Sequence, residues 1–121
     1  MILRFLVVGS GMALLVLGLL FWSGRDLNLV PVHMLLGGIL ILSLWTLAGV
    51  AFRSGVPAGF VSVAVLLSLI MPLLGVAQET LIPGSWHWTI QSAHLLVGGA
   101  AIGLGQGMVR RIAAVRQGGI Q

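Results

Sequence analysis

The sequence carries very little charge. Charged residues make up 7% of the 121 residues, against about 25% in ordinary soluble domains, and they are six arginines and two acids, with no lysine. A soluble fold needs more charge than this to cover its surface. Cysteine is missing as well, which excludes a disulfide framework, an iron–sulfur cluster and a thiolate metal site. There are no paired carboxylates, no Ser-His-Asp set and no phosphate-binding loop, so hydrolysis and nucleotide-driven chemistry are not expected.

Apolar sequence is what the chain has in abundance. Hydrophobic residues account for 59% of it, and the mean hydropathy is +1.16. Four uncharged stretches follow one another, and each can supply the roughly 20 apolar residues that a transmembrane helix needs. Glycine, serine and proline in the gaps between them favour turns. The sequence therefore predicts an all-α integral membrane protein, a single domain over 1–121 that forms an up-down bundle of four transmembrane helices, near 3–23, 30–52, 56–77 and 86–109.

The distribution of arginine predicts an orientation. If four helices alternate in direction, only Arg25, next to Asp26, lies on one side of the membrane, and the positive-inside rule places the other side in the cytoplasm. Aromatic residues that end helix 1 and begin helix 4 agree, because such residues collect at the membrane interface. We therefore expect a multi-pass protein of a bacterial inner membrane with both termini cytoplasmic, and a first helix that is too long for the core of a signal peptide. The cytoplasmic arginines would be Arg4, Arg53, Arg110, Arg111 and Arg116.

Two of the three histidines belong to an internal repeat. His33 lies near the start of helix 2 and His94 about two turns into helix 4, and each begins a His-x-x-x-Gly-Gly segment, at 33–38 and 94–99, an offset of 61 residues. Because both helices run from outside to inside, the repeat predicts a bundle of two parallel helix hairpins. An ionisable group within a bilayer is costly, so these histidines are candidates for function.

The repeat also predicts a place for a flat cofactor. Helices 2 and 4 are diagonal partners in an up-down bundle, and neighbours about 8–10 Å apart make that diagonal roughly 11–14 Å. Imidazoles that reach inward from His33 and His94 would leave room for one metallated ring. Gly37 and Gly98 each follow their histidine by four residues, so they lie on the same helix face and would open a slot beside the ring.

With these features the chain resembles the four-helix membrane b-type cytochromes. The resemblance covers the topology and the two His-x-x-x-Gly-Gly segments. It implies one haem b with His33 and His94 as iron ligands, and electron transfer to or from quinone or a partner complex. Those families often carry two haems, one near each face. No histidine lies in the inner half of this chain, so only one haem is expected.

Three polar residues near the outer face are weaker candidates. His87, between two tryptophans, is typical of an interfacial residue; it shares a helix face with His94 and could hydrogen-bond a haem propionate or a quinone. Gln91 lies one turn before His94 and could contact the cofactor or another helix. Glu79, in the outer loop, could accept protons from a quinol, although a solvated loop charge is the simpler interpretation.

A stripe of small residues keeps other functions open. Gly99, Gly103 and Gly107 recur every four residues, a pattern typical of close packing between transmembrane helices. The partner helix could belong to the same bundle or, because the stripe faces away from His94, to a partner subunit or a second copy of the chain. The stripe favours an alternative function as a cofactor-free structural or assembly subunit. A third interpretation is a (bacterio)chlorophyll-binding protein, because one axial histidine can hold each pigment. A proton or solute pathway is the least favoured, since acids inside the membrane are almost absent.

Overall fold

The chain folds into four long helices, and the computed structural model describes residues 2–78 and 80–118. The helices are α1 (Ile2–Trp22), α2 (Val30–Arg53), α3 (Ala58–Ala77) and α4 (His87–Gly118). A turn of 3₁₀ helix precedes α2 at Leu27–Leu29 and another precedes α4 at Gly84–Trp86. All four helices are long and apolar enough to cross a membrane. The predicted all-α four-helix bundle is therefore confirmed, and the chain is a multi-pass membrane protein.

The end of α4 differs from its predicted position. Seven of the eight helix ends lie within two residues of prediction, but α4, which was predicted to end at residue 109, continues to Gly118. That prediction ended the helix at the first arginine because a charge usually ends an apolar span. Arginine is nevertheless a good helix former, and neither proline nor glycine interrupts residues 110–117. The last turns of α4 therefore carry charge while remaining helical.

The turn after α1 shows how the chain reverses direction so tightly. Gly24 has a φ of 74°, in the left-handed region that glycine adopts without steric cost. This conformation lets the Arg25 N–H donate to the Leu20 carbonyl at 3.0 Å, which satisfies a carbonyl that the helix end would otherwise leave free. Gly55, with a φ of 83°, follows α2 in the same way. Helices joined by such short turns are antiparallel neighbours.

The bundle is a rhomb in cross-section, with α2 and α4 on its short diagonal. α1 and α3 each pack against both α2 and α4, and α2 also contacts α4 directly. A Cβ added to Gly105 would lie 2.7 Å from Cδ2 of Leu44 and 2.9 Å from Cγ1 of Val7, so the missing side chain is what lets the helices approach. The wide separation that the sequence predicted between the diagonal helices α2 and α4 is therefore corrected, because these two helices are in direct contact. At the level of Gly105 the Leu44 side chain fills the space between α2 and α4.

The buried positions of the first two helices recur in the last two, with one constant offset for each pair of helices. Buried residues of α1 match buried residues of α3 at an offset of 57, and those of α2 match α4 at 61, the offset of the histidine segments. The two halves therefore bury the same faces, which supports the parallel helix hairpins predicted from the sequence. The matched pairs are Val7 with Ala64, Gly11 with Ser68, Leu14 with Met71, Leu40 with Ala101, Leu44 with Gly105, Leu47 with Met108, and Ala51 with Ile112.

The two ends of the bundle differ in chemistry. At one end α1 and α3 begin and α2 and α4 end; we call it the arginine end, and its charged residues are Arg4, Arg53, Arg110, Arg111 and Arg116. The opposite end, the histidine end, carries the turns before α2 and α4. Between the ends, large apolar side chains cover the outside, among them Leu73 at 69% and Leu96 at 72% exposure. Such a surface is suited to contact with lipid.

Candidate cofactor site

His33 and His94 lie side by side in the half of the bundle nearer the histidine end. Their ring centroids are 6.3 Å apart, and the ring planes are inclined by 45°. His33 lies near the start of α2 and His94 lies two turns into α4. They come to the same depth because their offset of 61 residues is that of the buried positions of these helices. The two histidines that the sequence singled out are therefore brought together between the central helices.

The His94 ring is oriented by the backbone of α3. Its Nδ1 lies 3.1 Å from the Met71 carbonyl oxygen. A carbonyl oxygen can only accept, so Nδ1 carries the proton in the neutral ring and donates it, and Nε2 keeps its lone pair. This is the arrangement of a metal-binding histidine, whose second ring nitrogen usually donates to a carboxylate or a backbone carbonyl. Nε2 of His94 is thus the nitrogen available to a ligand.

Gly75 makes this contact possible. A helical side chain covers the turn that precedes its own Cα, so the residue four positions after Met71 would cover the Met71 carbonyl. That residue is Gly75, and a Cβ added there would lie 3.1 Å from Cε1 and 3.6 Å from Nδ1 of His94. The absence of a side chain at position 75 therefore exposes the carbonyl to the imidazole of α4.

His33 is enclosed by α1 in a related way. Its ring meets the Phe21 ring edge to face, with centroids 5.4 Å apart, and Gly18 is the glycine nearest to it, with an added Cβ 3.9 Å from Cε1. Gly18 and Gly75 are related by the same offset of 57 that matches the buried positions of α1 and α3. Each histidine thus rests against a glycine of the other helix in its own hairpin. Nδ1 of His33 is buried, and within the described residues it has no hydrogen-bond partner.

Gly18 and Gly75 were not among the predicted site residues. The sequence pointed to Gly37 and Gly98, which have different surroundings. A Cβ on Gly37 would meet nothing within 4 Å, and one on Gly98 would lie 3.7 Å from Sδ of Met71, an ordinary contact. Their role in making space for a ring stays a prediction. The signal for Gly18 and Gly75 was available as a second offset, between helices 1 and 3, that only a comparison of all four helices reveals.

The weaker candidates are not part of the histidine pair. His87 is the half-buried first residue of α4, about 10 Å along the helix from His94 at 1.5 Å per residue. Gln91 is half-buried one turn before His94. Glu79 lies outside the described residues.

The small-residue stripe divides into two parts. A Cβ added to Gly99 or Gly103 would meet nothing within 4 Å, and both residues are exposed. Gly107 instead receives Phe60 of α3, whose Cζ would lie 2.8 Å from an added Cβ. Gly107 therefore serves packing within the bundle, and Gly99 and Gly103 remain available on the outside.

The separation of the two imidazoles suits one shared metal ion. Two imidazoles that bind one metal ion through nitrogens at about 2.0–2.1 Å have centroids no more than about 6.2–6.4 Å apart, because each centroid lies about 1.1 Å behind its nitrogen. The observed separation is 6.3 Å. In the described part of the chain, no three residues among His, Cys, Asp and Glu form a group that could hold a metal ion. The site thus offers two nitrogen ligands.

Comparison with known proteins found no match for this chain among family models, curated proteins or solved structures.

Proposed function

We propose that this chain is a small b-type membrane cytochrome that holds one haem b between His33 and His94 and relays electrons to or from quinone or a partner complex. The observation that carries the proposal is the 6.3 Å separation of the two imidazoles. His33 of α2 and His94 of α4 would hold the haem iron with one ring nitrogen each.

The chain's own residues would hold and orient the group. The Met71 carbonyl fixes the tautomer of His94 and makes Nε2 a more basic ligand. Nδ1 of His33 is buried with no hydrogen-bond partner within the described residues, and such an atom costs about 1–3 kcal/mol. Coordination of iron by this nitrogen would remove that cost. The apolar helices around the pair would keep water away, and a bound haem b supplies one-electron redox chemistry.

The geometry of the pair favours haem over chlorophyll. Two chlorophylls, each on its own axial histidine, would need a macrocycle beside each imidazole, and nothing in that arrangement requires the two rings to approach each other. In this chain the rings approach to the distance at which they can share one metal. One haem held by both histidines would account for this contact directly.

The proposal includes an orientation. The arginine end carries five arginines, and the positive-inside rule assigns such an end to the cytoplasm. Both termini would then be cytoplasmic in a bacterial inner membrane, and the haem would lie near the outer face. Electrons would be exchanged there with an outer-face partner or with quinone, for which His87 and Gln91 would be the candidate hydrogen-bonding side chains.

An absorbance measurement tests the proposal. The chain is produced with haem available, purified in mild detergent and scanned in oxidised and reduced form. A low-spin, six-coordinate haem is expected, with a sharp Soret band and a narrow α band on reduction. His33→Ala and His94→Ala should each abolish the six-coordinate spectrum. The matched control is Ser92→Ala, because Ser92 lies on α4 two residues before His94 and therefore on another face; it should leave the spectrum unchanged.

Two results would overturn the haem site. One is a purified, helical, monodisperse protein without a Soret band. The other is a Soret band that persists unchanged in His94→Ala. Far-red absorption in place of the haem bands would identify a chlorophyll-type pigment instead.

The second candidate function is a cofactor-free assembly subunit. It is favoured by Gly99 and Gly103, which present bare backbone on the outside of α4, a surface that a helix of another chain could approach closely. In that case the pigment-free protein would co-purify with a stable partner, and Gly103→Leu would release that partner. The absorbance scan separates the two functions.

A further inference from the structure

The arginine end contains a recess whose chemistry is distinct from the histidine pair. It lies between the first turn of α1 and α4, has a volume of about 250 Å³, and is lined by Arg4, Gln106, Val109 and Arg110. Two arginines and one glutamine therefore line a small space. We call it the arginine recess.

The positive charge of the recess has no counter-charge in its lining. The chain has two acids: Asp26 lies at the histidine end, and the sequence places Glu79 between α3 and α4. Two guanidinium groups that share a space repel each other, so an anion from outside the chain would stabilise the recess. Arginine suits phosphate in particular, because its planar fork donates two parallel hydrogen bonds to phosphate oxygens.

An apolar groove adjoins the recess on the other side of Arg110. Its lining comprises Phe60, Gly103, Leu104, Gly107, Arg110, Arg111 and Ala114. The Arg111 guanidinium lies 4.2 Å above the centre of the Phe60 ring, which holds a second cation at the charged end of this groove. A phosphate beside Arg110 would therefore lie next to this apolar groove, which runs along α4 toward the membrane interior.

We infer that the arginine recess binds the headgroup phosphate of an anionic phospholipid, one of whose acyl chains lies in the adjoining groove. The recess supplies the charge complementarity, and the groove supplies the apolar contact. Basic pockets between transmembrane helices are known to bind anionic headgroups. The binding does not depend on haem, because the recess and the histidine pair lie at opposite ends of the bundle.

Lipid binding to purified, delipidated protein tests the inference. Phosphatidylglycerol and phosphatidylcholine are titrated separately in detergent, and retained lipid is measured by native mass spectrometry, with thermal unfolding as a second readout. Wild type should retain phosphatidylglycerol in preference. In Arg4→Gln/Arg110→Gln that retention should weaken about 30-fold, since each arginine near a headgroup contributes about a factor of five. The same titration with Arg4→Gln alone should give about a five-fold loss, which keeps the test informative if the double variant does not fold.

The matched control removes two arginines from outside the recess. Arg25→Gln/Arg116→Gln changes the net charge by the same amount and should retain phosphatidylglycerol as wild type does. Equal losses in the two double variants would overturn the inference, because they would indicate a non-specific effect of charge. If inorganic phosphate alone raised the unfolding temperature as much as phosphatidylglycerol does, the lipid assignment would be overturned in favour of a free-anion site.

Discussion

The imidazole of His94 depends on one residue that has no side chain. Gly75 exposes the Met71 carbonyl, and a methyl at position 75 would press on Cε1 of His94 at 3.1 Å. We therefore predict that Gly75→Ala displaces the ring and weakens its hydrogen bond, a loss of about 0.5–1.5 kcal/mol that offsets the gain of about 0.4–1 kcal/mol from alanine in a helix. The measurement is thermal or denaturant unfolding in mixed micelles. In the haem-bound protein, the fraction of low-spin iron should also fall.

Gly18→Ala is the control, because Gly18 holds the equivalent place beside His33. Its added Cβ would lie 3.9 Å from Cε1 of His33, an ordinary contact. Alanine also restricts the unfolded chain, which stabilises a helix by about 0.4–1 kcal/mol where there is no clash. Gly18→Ala should therefore be neutral or stabilising. If Gly75→Ala were as stable as Gly18→Ala and left the haem spectrum unchanged, the proposed role of Gly75 would be wrong.

At the residue scale, the sequence singled out the two histidines that the structure brings together, but not the groups that surround them. His33 and His94 were identifiable because a histidine inside a membrane is unusual and because the two share a repeated segment. The hydrogen bond of His94 involves the backbone carbonyl of Met71, and a carbonyl has no signature in the sequence. The role of Gly75 follows only once the rotation of α3 relative to α4 is known.

At the scale of helices, the contact between α2 and α4 at Gly105 leaves no room for a side chain. An added Cβ at Gly105 would lie 2.7 Å from Leu44 and 2.9 Å from Val7. We predict that Gly105→Ala destabilises the bundle by about 1–3 kcal/mol, the usual cost of overpacking. Gly103→Ala should be neutral or stabilising, because nothing lies within 4 Å of its added Cβ. Unfolding of both variants in mixed micelles checks the difference.

A double variant shows whether the cost at Gly105 arises from Leu44. Leu44→Val shortens the side chain that faces the added methyl, so Gly105→Ala/Leu44→Val should lose less stability than the two single variants together. Residues in direct contact are typically non-additive by about 0.5–3 kcal/mol. Strict additivity would mean that Leu44 and Gly105 do not define the spacing of α2 and α4.

The positions of the helices along the chain were more predictable than their mutual distances. Apolar length located seven of the eight helix ends, because the thickness of a bilayer sets the length of a span. The predicted end of α4 was wrong because a charged residue marks the limit of the membrane rather than the limit of a helix. The short diagonal between α2 and α4 was also missed, since it depends on Gly105 meeting Leu44 of the opposite repeat, which hydropathy does not report.

On the scale of the whole molecule, a nearly symmetric scaffold carries two chemically different ends. The offsets of 57 and 61 residues relate buried positions throughout the bundle, yet the polar groups do not follow this symmetry at both ends. Histidines at equivalent positions of the two halves meet at one end, whereas Arg4 and Arg110 of the arginine recess correspond to Val61 and Gly49 in the other half. The histidine pair therefore follows the symmetry of the scaffold, and the arginine recess does not.

If the proposed cytochrome function holds, the orientation of these two ends determines on which side of the membrane electrons are exchanged. The chain has no cysteine, so a single introduced cysteine is a unique label. Ser23 and Ser85 lie in the turns of the histidine end, and Ser54 lies in the turn between α2 and α3 at the arginine end. With a membrane-impermeant maleimide applied from outside, we predict labelling of Ser23→Cys and Ser85→Cys, and labelling of Ser54→Cys only after lysis.

Outside labelling of Ser54→Cys alone would reverse the orientation and place the electron partner of the histidine pair in the cytoplasm. Different sidedness for Ser23→Cys and Ser85→Cys would contradict the four-span topology itself, because both turns lie at one end of the bundle.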